Sequence, residues 1–112
     1  MKKVIVVFLL LALVLFSSGC ATATNIGDIT ANPSPYQGKE VTIEGIVSNN
    51  FWLALLTKGA YKLTDDTGSI WVVCSHTPPE KNSEVKVKGT VEKAVSIGER
   101  SLGTVVVEIS RY

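Results

Sequence analysis

Apolar and polar residues alternate along two long segments of the chain. In residues 39–49, every second position from Val41 to Val47 holds an apolar residue or a glycine, and residues 84–95 repeat this pattern with valines. A period of two is typical of a strand that buries one face. Both segments are therefore predicted to be strands with one side in a hydrophobic core.

Three shorter strands follow from composition and turn residues. Residues 60–64 and 69–75 flank Asp65-Asp66-Thr67-Gly68, which is typical of a tight turn, so these segments predict a hairpin. Residues 104–110 are rich in β-branched side chains and predict a last strand. From residue 20 onward the sequence shows no helical period of any length. The predicted fold class is all-β, a small five-stranded antiparallel barrel that is closed or nearly closed.

Glycines interrupt the two long strands at positions that are expected to face inward. Gly45 and Gly89 each stand where the alternation calls for an apolar residue. A strand that coils tightly around a small barrel needs a position without a Cβ atom. Both glycines therefore predict sharp bends in a barrel.

Three spaced motifs carry a resemblance to a known family: Tyr36-x-Gly38-Lys39-x-Val41-x-Ile43-x-Gly45-x-Val47, Leu63-x-Asp65-Asp66-x-Gly68-x-Ile70-x-Val72 and Val85-x-Val87-x-Gly89-x-Val91. They resemble the OB-fold domains grouped as tRNA-anticodon-like, and in particular the exported and lipoprotein members of that group, over residues 26 to about 109. The resemblance implies an OB-fold-like barrel. It does not imply one function, because this geometry serves many.

Two segments before and after the first strand leave alternatives open. Residues 26–35 hold at most a turn of helix, with Asp28 as a possible cap. The apolar segment 51–56 either continues the first strand across a bend or forms a loop, and it is either core or interaction surface.

The barrel is expected to lack one helix that OB-folds commonly have. That helix lies between strands three and four, but residues 75–83 contain two prolines and hold a turn at most. The end of the barrel is therefore expected to be closed by Phe51, Trp52 or Tyr36.

The first 20 residues resemble a bacterial lipoprotein signal peptide. Two lysines precede an apolar run from Val4 to Phe16, and Ser17-Ser18-Gly19 precedes Cys20. The resemblance implies cleavage before Cys20 and attachment of lipid to its thiol. An uncleaved membrane anchor and an ordinary signal peptide are the alternatives, although a spanning helix needs about 20 apolar residues.

The predicted organisation is a signal peptide over residues 1–19, a tether over 20–25 and an OB-fold-like domain over 26–112. Cleavage removes two of the 11 basic residues and leaves nine against 10 acidic ones, a net charge of −1. Proteins that bind polyanions usually carry a basic excess. The sequence therefore argues against nucleic acid as the partner.

The lipid anchor predicts a place in the cell. The chain is expected in the cell envelope, outside the cytoplasm, with the membrane as a partner through Cys20. If the host is Gram-negative, Ala21 in place of an aspartate favours the periplasmic side of the outer membrane.

Aromatic residues are the candidate ligand-binding positions. OB-folds that bind nucleic acid stack bases on aromatic side chains of strands two and three. Tyr61 and Trp71 lie on those strands, and Phe51 and Trp52 open the apolar segment. If Trp71 faces outward it forms a stacking platform, unless it packs under residues 51–56.

Cys74 and His76 lie two residues apart and carry side chains that can bind a metal. Once Cys20 carries lipid, no second cysteine is left for an intrachain disulfide. Structural zinc sites need four protein ligands and catalytic sites usually three, so a buried strand-end cysteine is the preferred interpretation. A metal or redox site at these two residues is the alternative.

Catalysis has little support in the sequence. The single histidine follows Ser75, but adjacent residues of a strand point to opposite faces, and the chain has no phosphate-binding loop or Cys-x-x-Cys motif. The hypothesis is a non-enzymatic, membrane-anchored binding module without a cofactor, which contacts an envelope protein or another envelope component. A binder of single-stranded nucleic acid or oligosaccharide is the alternative.

Overall fold

A computed structural model of the chain describes residues 23–97 and 99–112. The predicted signal peptide and Cys20 lie outside these residues. The elements in chain order are helix α1 (Ile26–Ala31), strand β1 (Glu40–Leu53), a 3-10 helix (Ala54–Leu56), and strands β2 (Lys58–Thr64), β3 (Ser69–Cys74), β4 (Glu84–Ile97) and β5 (Arg100–Arg111). All five predicted strands are present. Across the described residues, no helix is long and apolar enough to span a bilayer.

The five strands form a closed barrel in the order β1-β2-β3-β5-β4. The all-β, OB-fold-like barrel predicted from the sequence is therefore confirmed. Four of the five seams are antiparallel, but β3 and β5 pair in parallel, with Trp71–Val73 against Val105–Val107. The prediction of a wholly antiparallel barrel is wrong at this seam, because local alternation carries no information on the direction of a partner 34 positions away.

The two interior glycines stand where neighbouring strands approach each other closely. A Cβ atom on Gly45 would lie 2.4 Å from the backbone oxygen of Thr64, and one on Gly89 would lie 2.4 Å from that of Val107. Gly89 also borders a shift of register between β4 and β5. Both positions therefore need glycine for strand packing, as the sequence predicted.

The barrel interior is apolar, and α1 closes one end of it. The side chains of Ile26 and Ile29 are completely buried in the same cluster as the inward residues of the strands, and Tyr36 packs against that cluster. The expectation that Phe51 or Trp52 closes this end is wrong, because a six-residue helix supplies the plug. No helix follows β3, as predicted for residues 75–83.

The turn between β2 and β3 holds α1 in place. Oδ1 of Asp65 accepts hydrogen bonds from the backbone of Thr67 and Gly68, which fixes the turn, and Oδ2 accepts one from the backbone N–H of Ile26 at 3.0 Å. The hydroxyl of Thr67 accepts the N–H of Gly27 at 2.8 Å. The first N–H groups of the helix therefore find acceptors in a distant turn.

This arrangement replaces the cap expected from Asp28. Asp28 lies within the helix, and Asn25 at the N-cap position makes no side-chain cap hydrogen bond. Partial burial acts to raise the pKa of the Asp65 carboxyl, but the hydrogen bonds from Ile26, Thr67 and Gly68 outweigh it and lower that pKa.

Candidate binding surfaces

The outer face of β2 and β3 is covered by the chain itself. Outside the barrel, a second apolar cluster buries Ala60, Val73, Ile97 and Val105, and Phe51, Leu53, Trp71 and Leu102 pack against it. Ile97 and Leu102 belong to the long β4–β5 hairpin, which crosses this face. The surface on which OB-folds stack bases is here largely filled by protein.

Trp71 belongs to this outer cluster. Its ring meets that of Phe51 edge to face, with 5.5 Å between the ring centroids. Ile70, Val72 and Cys74 point into the barrel, so Trp71 faces outward as expected and packs under the start of the 51–56 segment. Lys62 lies opposite Trp71 in the ladder, and both side chains stay partly exposed.

Tyr61 does not offer a stacking surface. Its side chain is completely buried inside the barrel, so the structure does not leave this candidate ligand-binding residue accessible. The physical reason is the register of β2, in which Tyr61 shares the inward face with Leu63. The signal for this orientation was present in the sequence, since the apolar Leu63 lies two residues further along the strand.

The hydroxyl of Tyr61 anchors a polar cluster at the end of the barrel away from α1. It donates to Oε2 of Glu108 at 2.8 Å, and Oε1 of Glu108 pairs with Nε of Arg111 at 3.2 Å. Arg111 also stacks over the Tyr61 ring and donates to the backbone oxygen of Thr77. Its Nη1 is buried and finds no hydrogen-bond partner in the part of the chain that the structure describes. Burial, together with the hydrogen bond to Glu108, raises the pKa of Tyr61.

Cys74 and His76 are not brought together. The Cys74 side chain is buried in the barrel core, whereas His76 is exposed in the following loop. Burial raises the pKa of the Cys74 thiol to about 11, so the thiol stays protonated at neutral pH. No group of three or more metal-ligating side chains forms within residues 23–97 and 99–112.

The segment after β1 forms an exposed apolar tip, which we define as residues 52–56. Phe51, Trp52 and Leu53 continue β1, and the 3-10 helix follows them. Trp52 is 37% exposed, Leu56 50% and Leu55 100%, and the tip lines a cavity of about 350 Å³. The segment is therefore core in part, since Phe51 and Leu53 are packed against the outer cluster, and the rest of it is exposed.

The tip has a defined backbone. Gly59 leaves room for the indole of Trp52, because a Cβ atom there would lie 2.7 Å from Cε3 of that ring. Thr57 ends the 3-10 helix in the left-handed region at φ 48°, and its N–H donates to the backbone oxygen of Ala54 at 3.2 Å. A non-glycine residue in this conformation is uncommon.

Two further cavities lie beside β1 and have charged residues in their lining. The larger, of about 480 Å³, is lined by four carboxylates, those of Glu44, Asp65, Asp66 and Glu84. A cavity with this charge repels nucleic acid. The smaller, of about 300 Å³, is lined by Thr42, Lys86, Lys88 and Tyr112. Sequence reasoning missed this second cavity, because only the pairing of β1 with β4 brings its residues together.

The fold is similar to parts of several solved structures. Asparaginyl-tRNA synthetase from Pyrococcus horikoshii matches 83% of this chain at 20% identity with a TM-score of 0.65, and a putative aspartyl-tRNA synthetase from Leishmania major matches 83% at 16% identity with a TM-score of 0.61. The matched region is 23% and 21% of those chains.

A third similar structure is a protein of comparable size. An OBody bound to hen egg-white lysozyme matches over 70% of this chain and 83% of its own, at 18% identity with a TM-score of 0.55. The sequence matches no protein-family profile and no curated protein. Together with the closed five-stranded topology, these similarities define the fold as an OB-fold-like barrel.

Proposed function

We propose that this chain is a membrane-anchored, non-enzymatic OB-fold binding module of the cell envelope, and that it contacts a protein partner through the apolar tip. The observation that carries the proposal is the exposure of Leu55 and Leu56 beside Trp52. Exposed apolar patches on small domains mark contact sites, and aromatic residues at their centre supply much of the binding energy.

The covered strand face supports a protein partner over a nucleic acid. Ile97 and Leu102 occupy the outer face of β2 and β3, and the larger of the two cavities beside β1 is acidic. The OBody bound to lysozyme is an example of a similar barrel that holds a protein. Anchoring through Cys20 rests on the signal peptide pattern and keeps the module at the envelope.

The test is photo-cross-linking in living cells of the host. A photoreactive amino acid at position 55 is expected to give a discrete adduct with one envelope protein, identified by mass spectrometry. The matched control is position 109, where Ile109 is 57% exposed on β5 and outside the tip. Equal adducts from both positions, or none from position 55, would overturn the tip as a docking site.

The anchor is tested separately. Cys20→Ala is expected to abolish incorporation of labelled fatty acid and retention in the membrane fraction, with the domain still folded because Cys20 precedes every element of the barrel. Continued labelling of this variant would exclude lipidation at Cys20. In a Gram-negative host, sucrose-gradient fractionation is expected to place the wild-type protein in the outer membrane.

A second candidate function is binding of single-stranded nucleic acid or oligosaccharide. The observation that favours it is the partly exposed pair of Lys62 and Trp71 on the outer face, together with the similarity to two tRNA synthetases. An oligonucleotide that binds there would quench tryptophan fluorescence, and moderate salt would reverse the quenching. The absence of quenching in low salt would exclude the nucleic acid.

A further inference from the structure

The chain between the proposed lipid site and the barrel is short. Thr24 is already held by the barrel, because its N–H donates to the backbone oxygen of Thr42 on β1 at 2.7 Å. Cys20 precedes Thr24 by four residues, and four extended residues span at most about 14 Å. If Cys20 carries lipid, as the proposed function holds, the part of the barrel around Thr42 lies against the headgroups.

The surface at that position has the chemistry to meet anionic headgroups. Thr42 lines the 300 Å³ cavity together with Lys86, Lys88 and Tyr112. Tyr112 is 74% exposed and is fixed to β4 by backbone hydrogen bonds in both directions with Lys86. Tyrosine is enriched where an apolar phase meets water, because its ring is apolar and its hydroxyl is polar. We call these four residues the lysine face.

The lysines of this face are available to a phosphate. Within the part of the chain that the structure describes, Lys86 makes no ion pair, although Glu44 lies opposite it in the ladder. Lys88 pairs with Glu40 at 3.0 Å, but both side chains are about half exposed. Such surface pairs contribute little and are readily exchanged.

We propose that the lysine face binds the phosphate groups of anionic phospholipids in the membrane that holds Cys20, and thereby fixes the orientation of the barrel. The amines of Lys86 and Lys88 supply the positive charge, and the hydroxyl of Thr42 supplies a hydrogen-bond donor. Tyr112 inserts at the level of the headgroups. This inference rests on the proposed lipid anchor.

The orientation leaves the apolar tip accessible. Leu53 follows Thr42 by 11 residues along β1, and an extended strand rises about 3.3 Å per residue. The tip is therefore beyond the reach of the tether. A barrel held by its lysine face presents residues 52–56 to a partner in the aqueous compartment.

The test measures lysine reactivity in the full-length lipidated protein. The purified protein is placed in vesicles of phosphatidylglycerol and phosphatidylcholine, in vesicles of phosphatidylcholine alone, and in neutral detergent. It is acetylated briefly with an amine-reactive ester, and each lysine is quantified by mass spectrometry. Lys58 and Lys81 are the controls within the same molecule, because both are exposed and lie outside the lysine face.

Acetylation of Lys86 and Lys88 is expected to fall about fivefold or more in the anionic vesicles, relative to phosphatidylcholine, and to recover at high salt. Acetylation of Lys58 and Lys81 should change by less than about twofold. Salt screens the attraction between these lysines and the anionic vesicle surface beyond a Debye length. The double variant K86Q/K88Q should stay in the vesicles through its lipid but lose the protection of Thr42 and Tyr112 from hydroxyl-radical footprinting.

The contradicting outcomes are separable. If intact mass shows no lipid on Cys20, the proposed anchor and this inference both fail. If the protein is lipidated and all four lysines react equally in both vesicle types, the orientation alone is wrong. Protection of Lys86 and Lys88 in detergent by inorganic phosphate, without protection in anionic vesicles, would assign the cavity to free phosphate and overturn the lipid proposal.

Discussion

One end of the barrel is filled by the apolar side chains of Ile26 and Ile29, whereas the other end holds the charged groups of Glu108 and Arg111. The first end is held by apolar packing and the second by a hydrogen-bonded ion pair. The apolar end is closed by a helix whose N–H groups are satisfied. At the polar end, Nη1 of Arg111 is buried with no hydrogen-bond partner among the described residues. Both ends are thus expected to contribute to stability, by different interactions, whereas recognition is expected to depend on the exposed tip.

Replacing the plug should have the largest effect. Ile29→Ala removes a completely buried side chain and leaves a cavity, so it should lower the free energy of unfolding by about 2–5 kcal/mol in urea denaturation. The control Ile109→Ala, on an exposed side chain, should change it by less than about 0.5 kcal/mol. Similar losses in both variants would mean that α1 does not close the core.

Removing a hydrogen bond at the polar end should have the second largest effect on stability. Tyr61→Phe removes the donor to Glu108 and leaves part of a buried carboxylate unsatisfied, so the free energy of unfolding should fall by about 1.5–3 kcal/mol. The control Tyr36→Phe, whose hydroxyl makes no hydrogen bond to the described part of the chain, should cost less than about 0.5 kcal/mol. Equal costs would show that the hydroxyl of Tyr61 contributes nothing.

The same variant gives a test in alkali. The folded-state pKa of Tyr61 is raised, so its contribution to stability is complete below the unfolded pKa of about 10 and is lost as pH rises above it. The wild type should therefore lose more stability than Tyr61→Phe in urea melts between neutral and strongly alkaline pH. Parallel losses would contradict burial of the neutral phenol.

The turn that holds the plug should have a smaller effect. Asp65→Ala removes the acceptor for Ile26, Thr67 and Gly68 and should cost about 1 kcal/mol, as for loss of a helix cap. Because the folded pKa of Asp65 is lowered, its contribution is present above an unfolded pKa of about 3.9 and is lost as pH falls further. The wild type should lose this contribution in acid melts and the variant should not.

The tip should matter least for stability and most for binding. Leu55→Ser removes a side chain that is fully exposed, so the free energy of unfolding should change by less than about 0.5 kcal/mol. Cross-linking from a neighbouring tip position should nevertheless weaken. A clear loss of stability would mean that Leu55 packs against another part of the chain and that the tip is core.

The fold could be predicted because its determinants are local. The alternation around Val41 and Val85, the turn at Asp65 and the inward glycines each depend on residues close in sequence, and the structure retains them. The limits of the strands could not be predicted as well as their existence. The predicted first strand covers residues 39–49, but β1 continues to Leu53 through a bulge between Val47 and Asn49 that shifts its register with β2.

The candidate surfaces could be predicted only in part. Trp71 faces outward as alternation implies, but the outer cluster that it joins also contains Leu102, which lies on a hairpin remote in sequence. The lysine face depends on the pairing of Thr42 with Lys88, which no local pattern indicates. Local sequence suggests only Asp28 as a cap for α1. The carboxylate that accepts the N–H of Ile26 belongs to Asp65, which lies 39 positions away.

The parallel seam between β3 and β5 has a consequence for how the chain acquires its structure. Trp71 and Val105 are neighbours in this seam although 34 positions separate them, and barrels with many such distant pairs fold slowly. Until β5 arrives, the edge of β3 presents the unpaired backbone of Trp71-Val72-Val73, a β-prone apolar stretch that another chain could join. During synthesis the N-terminal part of the chain leaves the ribosome first, so the edge of β3 is paired only after β5 has been made. Premature truncation before Val107 should therefore cause aggregation rather than a smaller folded domain.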